Sequence, residues 1–165
     1  MEILVDLAKC LGCKSCELSC AVARGSKAKT LTGALASGEK PQSRVRVVQV
    51  EGAALPIQCR HCLDAPCLDA CPAGALRRDP ETEMVLLNED RCIGCYMCVM
   101  VCPFGVVVPT PGGAVTKCDR CWQWERLACV EACPTGALIY AEGWQGAEEI
   151  RVSRLEVLRK WLKRS

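Results

Sequence analysis

The sequence predicts an α+β chain built as two small cysteine-rich modules, the second inserted within the first. Three observations predict this. Sixteen cysteines fall into four quartets with none left over. The second and third quartets are joined by a short link, which pairs them and leaves the first and fourth to each other. Apolar, strand-like segments flank the cysteine-bearing body, EILVDL at 2–7 and ALIYA at 137–141. The expected organisation is an outer module from residues 1–50 and 112–145, an inserted module from 51–111, and a basic amphipathic helix over 146–165.

Taken in order, Cys10, Cys13, Cys16 and Cys20 are spaced C-x2-C-x2-C-x3-C. Alanine rather than proline follows Cys20, so a helix is expected to run on through AVARG. The next stretch, GSKAKTLTGALASGEKPQSR at 25–44, is polar and rich in Gly, Ser and Lys, and reads as a loop, either a partner contact or solvated slack. Cys59, Cys62, Cys67 and Cys71 read C-x2-C-x4-C-x3-C before Pro72. A turn at Asp79-Pro80 and a short apolar strand, Met84 to Leu87, then return the chain to cysteine. Cys92, Cys95, Cys98 and Cys102 repeat the first spacing before Pro103. Cys118, Cys121, Cys129 and Cys133 keep the x2 start, the x3 end and the proline, with seven residues inserted between. In the tail, Ser153 and Glu156 form a capping box, and Leu155, Leu158 and Leu162 share a helical face. Arg154, Arg159, Lys160, Lys163 and Arg164 make that helix basic; it suits an acidic partner, a membrane surface or, by default, its own protein.

Ordinary side chains cannot fill such modules. The chain has only seven aromatic residues among 165, with 13 Gly and 9 Pro, and below roughly 80 residues a core rarely suffices without disulfides, metals or partners. Disulfides are disfavoured: MEILVDLAKCLGC lacks the basic and apolar regions of a signal peptide, which predicts a cytoplasmic, reducing setting where dense cysteine binds metal. No apolar run nears the ~18 residues of a membrane span. A formal charge of +2 without a basic, aromatic-laced stripe argues against nucleic acid.

The spacing points to four [4Fe–4S] clusters. Three thiolates on one compact loop wrap three corners of a cubane, and the fourth cysteine, before proline, ligates the other cluster of a pair, the bacterial two-cluster pattern. Exchange of fourth cysteines gives four ligand sets. Set A is Cys10, Cys13, Cys16 and Cys133; set B is Cys118, Cys121, Cys129 and Cys20. Set C is Cys59, Cys62, Cys67 and Cys102; set D is Cys92, Cys95, Cys98 and Cys71. Four all-thiolate zinc sites are the competing reading, although zinc knuckles need no third cysteine three residues after the second. Each cubane with its thiolates carries about −2, taking the formal charge to about −6. Lys9, Lys14, Arg60, Arg91, Lys117 and Arg120 beside the quartets offset this. His61, the one histidine, reads as a neighbour of the ligands or a surface group, and Trp122 and Trp124 as a shield over set B or a partner contact.

CRHCLDAPCLDACP, CIGCYMCVMVCPFG and the lengthened fourth quartet resemble those of four-cluster iron–sulfur electron-transfer subunits. These serve pterin enzymes of the dimethyl sulfoxide reductase type, formate dehydrogenases and hydrogenases. KCLGCKSCELSCAVA is similar to a compact subgroup, which includes the ferredoxin-like partner of carbon monoxide dehydrogenase and the small subunit of tungsten aldehyde oxidoreductases. The resemblance runs from about residue 1 to 141 and implies two ferredoxin-like two-cluster modules. It also implies a non-catalytic carrier relaying single electrons between a catalytic oxidoreductase subunit and a second redox partner such as a flavin- or NAD-linked subunit. Self-association into a longer wire and a freely diffusing polyferredoxin stay open beside it. No nucleotide fingerprint, catalytic triad or open coordination position stands against a carrier role.

Overall fold

A computed structural model describes residues 2–50, 52–122 and 124–141; the tail helix expected over 146–165 lies outside these. The strands are short and pair only in twos. β1 (Glu2–Val5) runs antiparallel to β8 (Leu138–Ala141), in register from Glu2 opposite Ala141 to Val5 opposite Leu138. β2 (Val45–Val50) and β3 (Ala53–Gln58) form the longest hairpin. β4 (Leu76–Arg78) pairs with β5 (Val85–Leu87), the strand that the apolar run from Met84 predicts. β6 (Val108–Pro109) pairs with β7 (Val115–Thr116).

Among the described residues five short α-helices lie between them, and four answer to the cysteine spacing. α1 (Ser15–Cys20), α3 (Pro66–Asp69), α4 (Met97–Val101) and α5 (Ala128–Glu131) each carry the third cysteine of a quartet. The x3 gap is one helical turn, so the third and fourth cysteines stand a turn apart. After α1 the chain continues through Ala21–Gly25 as a single π turn, with the Ser26 amide donating to the Ala21 carbonyl at 3.0 Å. The absence of proline after Cys20 is what permits this, as expected for AVARG. The stretch read as a loop contains α2 (Leu31–Ala36), capped where the Thr30 hydroxyl accepts from the Gly33 amide at 3.2 Å. Ala34 is buried under it. A helix so short is set by its cap and one buried contact, a signal weaker than the surrounding Gly, Ser and Lys.

Two separate groups of buried apolar residues form the core among the described residues. One joins Ile3, Val5, Val45, Val47, Ala54 and Leu138 with Cys16, Cys20 and Cys129. The other joins Ala65, Leu76, Val85, Val107 and Val115 with Cys98. Neither contains an aromatic ring, and each closes around cysteine. Chain-distant hydrogen bonds reinforce the first group: the Ser19 hydroxyl donates to the Ala128 carbonyl at 2.9 Å, and the Glu17 carboxylate accepts from the Val47 amide. Among the described residues no helix is long and apolar enough to cross a membrane.

Candidate cluster-binding centres

The quartets share a backbone device. The residue two after the first cysteine takes a left-handed conformation in every one: Gly12 at φ 67°, His61 at 48°, Gly94 at 68° and Arg120 at 52°. Successive amides are thereby turned to one side, forming the kind of nest that favours negative charge. At His61 and Arg120 the amide donates to the first sulfur, reaching Cys59 Sγ at 3.5 Å and Cys118 Sγ at 3.4 Å. The CPAGAL and CPTGAL turns treat their sulfurs alike: Ala75 N–H donates to Cys71 Sγ at 3.3 Å, and Ala137 N–H to Cys133 Sγ at 3.2 Å. Gly94 has a steric reason as well, since a Cβ there would lie 2.2 Å from the Gly113 carbonyl oxygen.

None of the sixteen cysteines is in a disulfide, and the fold brings most of them together in fours. Cys10, Cys13, Cys16 and Cys133 wall one cavity. Cys59, Cys62, Cys67 and Cys102 wall a second, and Cys71, Cys92, Cys95 and Cys98 a third. The remaining four, Cys20, Cys118, Cys121 and Cys129, are all buried, and Cys129 feels Cys118, Cys20 and Cys121 and also Cys16 of the first cavity. Each of the three cavities thus takes three sulfurs from one quartet and one from another. Twelve of the sulfurs line the walls of cavities, as the corners of a cluster larger than one ion require.

Burial sets the chemistry of these thiols. It pushes Cys16 up to about 11 and Cys118 up to about 12, and raises Cys129 further. A thiolate is favourable at such depth only when a bound cation compensates it. Cys71 and Cys133 differ. Burial raises them too, but the amides of Leu76, Ala75, Ala73 and Gly74 at the first outweigh it. At the second, Leu138, Thr135 and Ala137 do the same, and both thiols are held below the ordinary range.

Several residues outside the quartets position them. Arg78 of β4 donates to the Cys62 and Leu63 carbonyls at 2.8 and 2.6 Å, fixing the second loop. Asp119 Oδ2 accepts from both Arg24, on the π turn, and Arg44, at 2.8 Å from Arg44 Nη1, while its Oδ1 accepts from the Cys121 amide at 3.0 Å. None of these pairings is readable from spacing, since the partners are 75 and 95 residues apart. His61 is buried, its Nδ1 accepting from the Val85 amide at 3.1 Å. Of the tryptophans, Trp122 lines a polar cleft of about 630 Å³ with Arg24, Arg44 and Asp119. Trp124 lies under the Arg24 guanidinium at 4.9 Å, a cation–π contact.

Nests of amides around gathered cysteines define an iron–sulfur protein, and comparison with known families identifies which kind. Residues 50–142 match the 4Fe-4S dicluster domain and residues 7–23 a 4Fe-4S binding domain. The chain is 45% identical to an iron-sulfur protein of Rhodospirillum rubrum over 147 residues, 78% of this chain and 75% of that one. It is 36% identical to the electron transport protein HydN of Escherichia coli, covering 83% of this chain and 85% of the relative. With the thiosulfate reductase electron transfer subunit PhsB of Salmonella typhi it shares 33% identity, over 90% and 82% of the two chains. The chain belongs to the 4Fe-4S dicluster, ferredoxin-like family of electron-transfer proteins, and it carries multiple [4Fe–4S] clusters.

Proposed function

We propose that this protein is a four-cluster electron relay, sets A, B, C and D holding one [4Fe–4S] cluster each in a single row. A bound cubane supplies a site that takes up and releases one electron. The outer module, residues 1–50 and 112–145, holds sets A and B and the inserted module, 51–111, sets C and D. The β2–β3 hairpin crosses the first boundary, Ala54 packing with the outer group, and Val115 packs with the inserted one. The observation that carries this reading is that three cavities are each walled by four cysteines, the fourth sulfur coming from a partner quartet, which leaves Cys20, Cys118, Cys121 and Cys129 as the fourth set. Cys20 and Cys133 lock A to B, as Cys71 and Cys102 lock C to D. Cys118 joins the pairs, being a near neighbour of Cys59, whose charge helps to raise it. The order is therefore A–B–C–D.

The ends of the row face outward. Cys13 of set A and Cys95 of set D are exposed, while all of set B is buried. Beside them stand exposed Leu11 and Ile93, the residues that follow the first cysteine of each terminal loop. Such ends suit two redox partners on opposite sides: a catalytic oxidoreductase subunit, as the name of PhsB implies for that relative, and a second redox subunit. Anaerobically purified protein is expected to hold about 16 iron and 16 sulfide, four of each per cubane; four zinc without sulfide refutes the relay. Cys133→Ser tests the partition, since it is expected to disturb the cluster held by Cys10, Cys13 and Cys16. Damage confined to the cluster of Cys118, Cys121 and Cys129 refutes the exchange.

A further inference from the structure

The junction between sets B and C contains a buried cation with an unusual environment. Lys117 directly precedes Cys118 and is 2% exposed. Its Nζ donates to the Cys118 carbonyl at 3.1 Å and to the Val85 carbonyl of β5, crossing from the fourth quartet to the hairpin of the second and third. The Val85 amide in turn donates to His61 Nδ1, within the second quartet. One strand residue therefore ties the Lys117 ammonium to the loop carrying Cys59 and Cys62.

None of the ion pairs among the described residues includes Lys117. Taking an ammonium out of water is costly unless an opposite charge compensates it, and two carbonyl dipoles replace only part of its hydration. Glu89, Asp90 and Asp119 share a polar cleft with Lys117 without pairing with it. The thiolate sites flank it directly, set B through the adjacent Cys118 and set C through Val85, which lines that cavity.

We propose that Lys117 is the shared counter-charge of the two middle clusters, raising the reduction potentials of B and C above those of A and D and so setting the energies of the A–B and C–D steps. This rests on the four-cluster reading. A fixed positive charge favours the reduced, more negative state of each neighbouring cluster, so removing it moves both potentials down. Sets A and D, on the far sides of B and C, are left nearly unchanged.

The test is a redox titration of the anaerobic full chain followed by electron paramagnetic resonance, with iron content measured on every sample. Wild-type protein is measured first: fewer than four cubane signals there refutes the relay itself, independently of Lys117. Lys117→Gln keeps a donor for the Val85 carbonyl and drops the charge; Lys117→Arg keeps the charge. In K117Q two of four midpoints are expected to fall, the reduced-to-oxidised ratio at fixed potential changing at least tenfold, which is 59 mV for one electron. K117R is expected to stay near wild type. Four unmoved midpoints in fully loaded K117Q overturn the proposal, as does an equal shift in K117R, which reports shape and not charge. If K117Q binds less iron, Lys117→Met is titrated by the same criteria. Loss of iron from both neutral variants with K117R fully loaded supports the counter-charge, and equal loss in all three overturns it.

Discussion

Asp119→Asn isolates the carboxylate that two arginines share. Asparagine keeps the volume and the Oδ1 acceptor that receives the Cys121 amide at 3.0 Å, and removes only the charge facing Arg24 and Arg44. Those guanidinium groups are 18% and 12% exposed and Asp119 is 17% exposed, so water screens the cluster only in part. Breaking a buried pair from one side costs about 3–5 kcal/mol. Residual exposure, and the Arg44 contact to Glu89 at 3.5 Å, reduce this to about 2–4 kcal/mol for the present site. Holo-protein that loses iron unfolds irreversibly, so the quantity to measure is a rate. At about 1.4 kcal/mol per tenfold, anaerobic bleaching of the cluster absorbance in guanidinium should accelerate on the order of 100-fold. Glu81→Gln, at an exposed position, is the control. Acceleration of D119N by less than about threefold, equal to the control, refutes the view that this node holds the first quartet's helix against the fourth.

Gly94→Ala is expected to empty set D, because its Cβ meets the Gly113 carbonyl oxygen at 2.2 Å in a left-handed turn. The readout is loss of about four iron per chain, while Gly38→Ala, also at positive φ but with nothing within 4 Å, keeps full iron. Thr30→Ala removes the cap of α2 and should cost about 1 kcal/mol, seen as faster amide exchange across Leu31–Ala36 with unchanged iron. Chelation of iron from the anaerobic protein should abolish cooperative unfolding, measured by circular dichroism, because the two apolar groups contain no aromatic ring and close on cysteine.

The cysteines were the legible part of this chain because cluster ligation is a local constraint. A compact loop must present three sulfurs to one cluster, so the sequence between them is nearly free, and the quartets stay readable although two of their gaps lengthen from two residues to four and seven. The β1–β8 pairing could be anticipated for a related reason: two apolar segments flank the cysteine-bearing body, and pairing them closes it. α2 was not legible, since its signal is one threonine cap and one buried alanine among Gly, Ser and Lys. The Arg24–Asp119–Arg44 node was hidden as well, its partners coming from three separate segments.

The six cations beside the quartets show where reading by adjacency ends. In sequence Lys9, Lys14, Arg60, Arg91, Lys117 and Arg120 are equivalent neighbours of cysteine. In the fold Lys9, Lys14, Arg60 and Arg91 are exposed, Arg120 is half-buried and Lys117 alone among them is buried. An exposed charge is screened by water and salt, so its pull on a nearby cluster is small. A buried one keeps its field, because the surrounding dielectric is low. Lys117 is distinguished by β7 carrying it inward and by a carbonyl of β5 waiting 32 residues back along the chain. A relay whose four ligand sets are so alike needs differences between their surroundings if electrons are to move in a set order. Charge depth at the module junction is one such difference, produced by tertiary packing of residues whose types alone do not mark them.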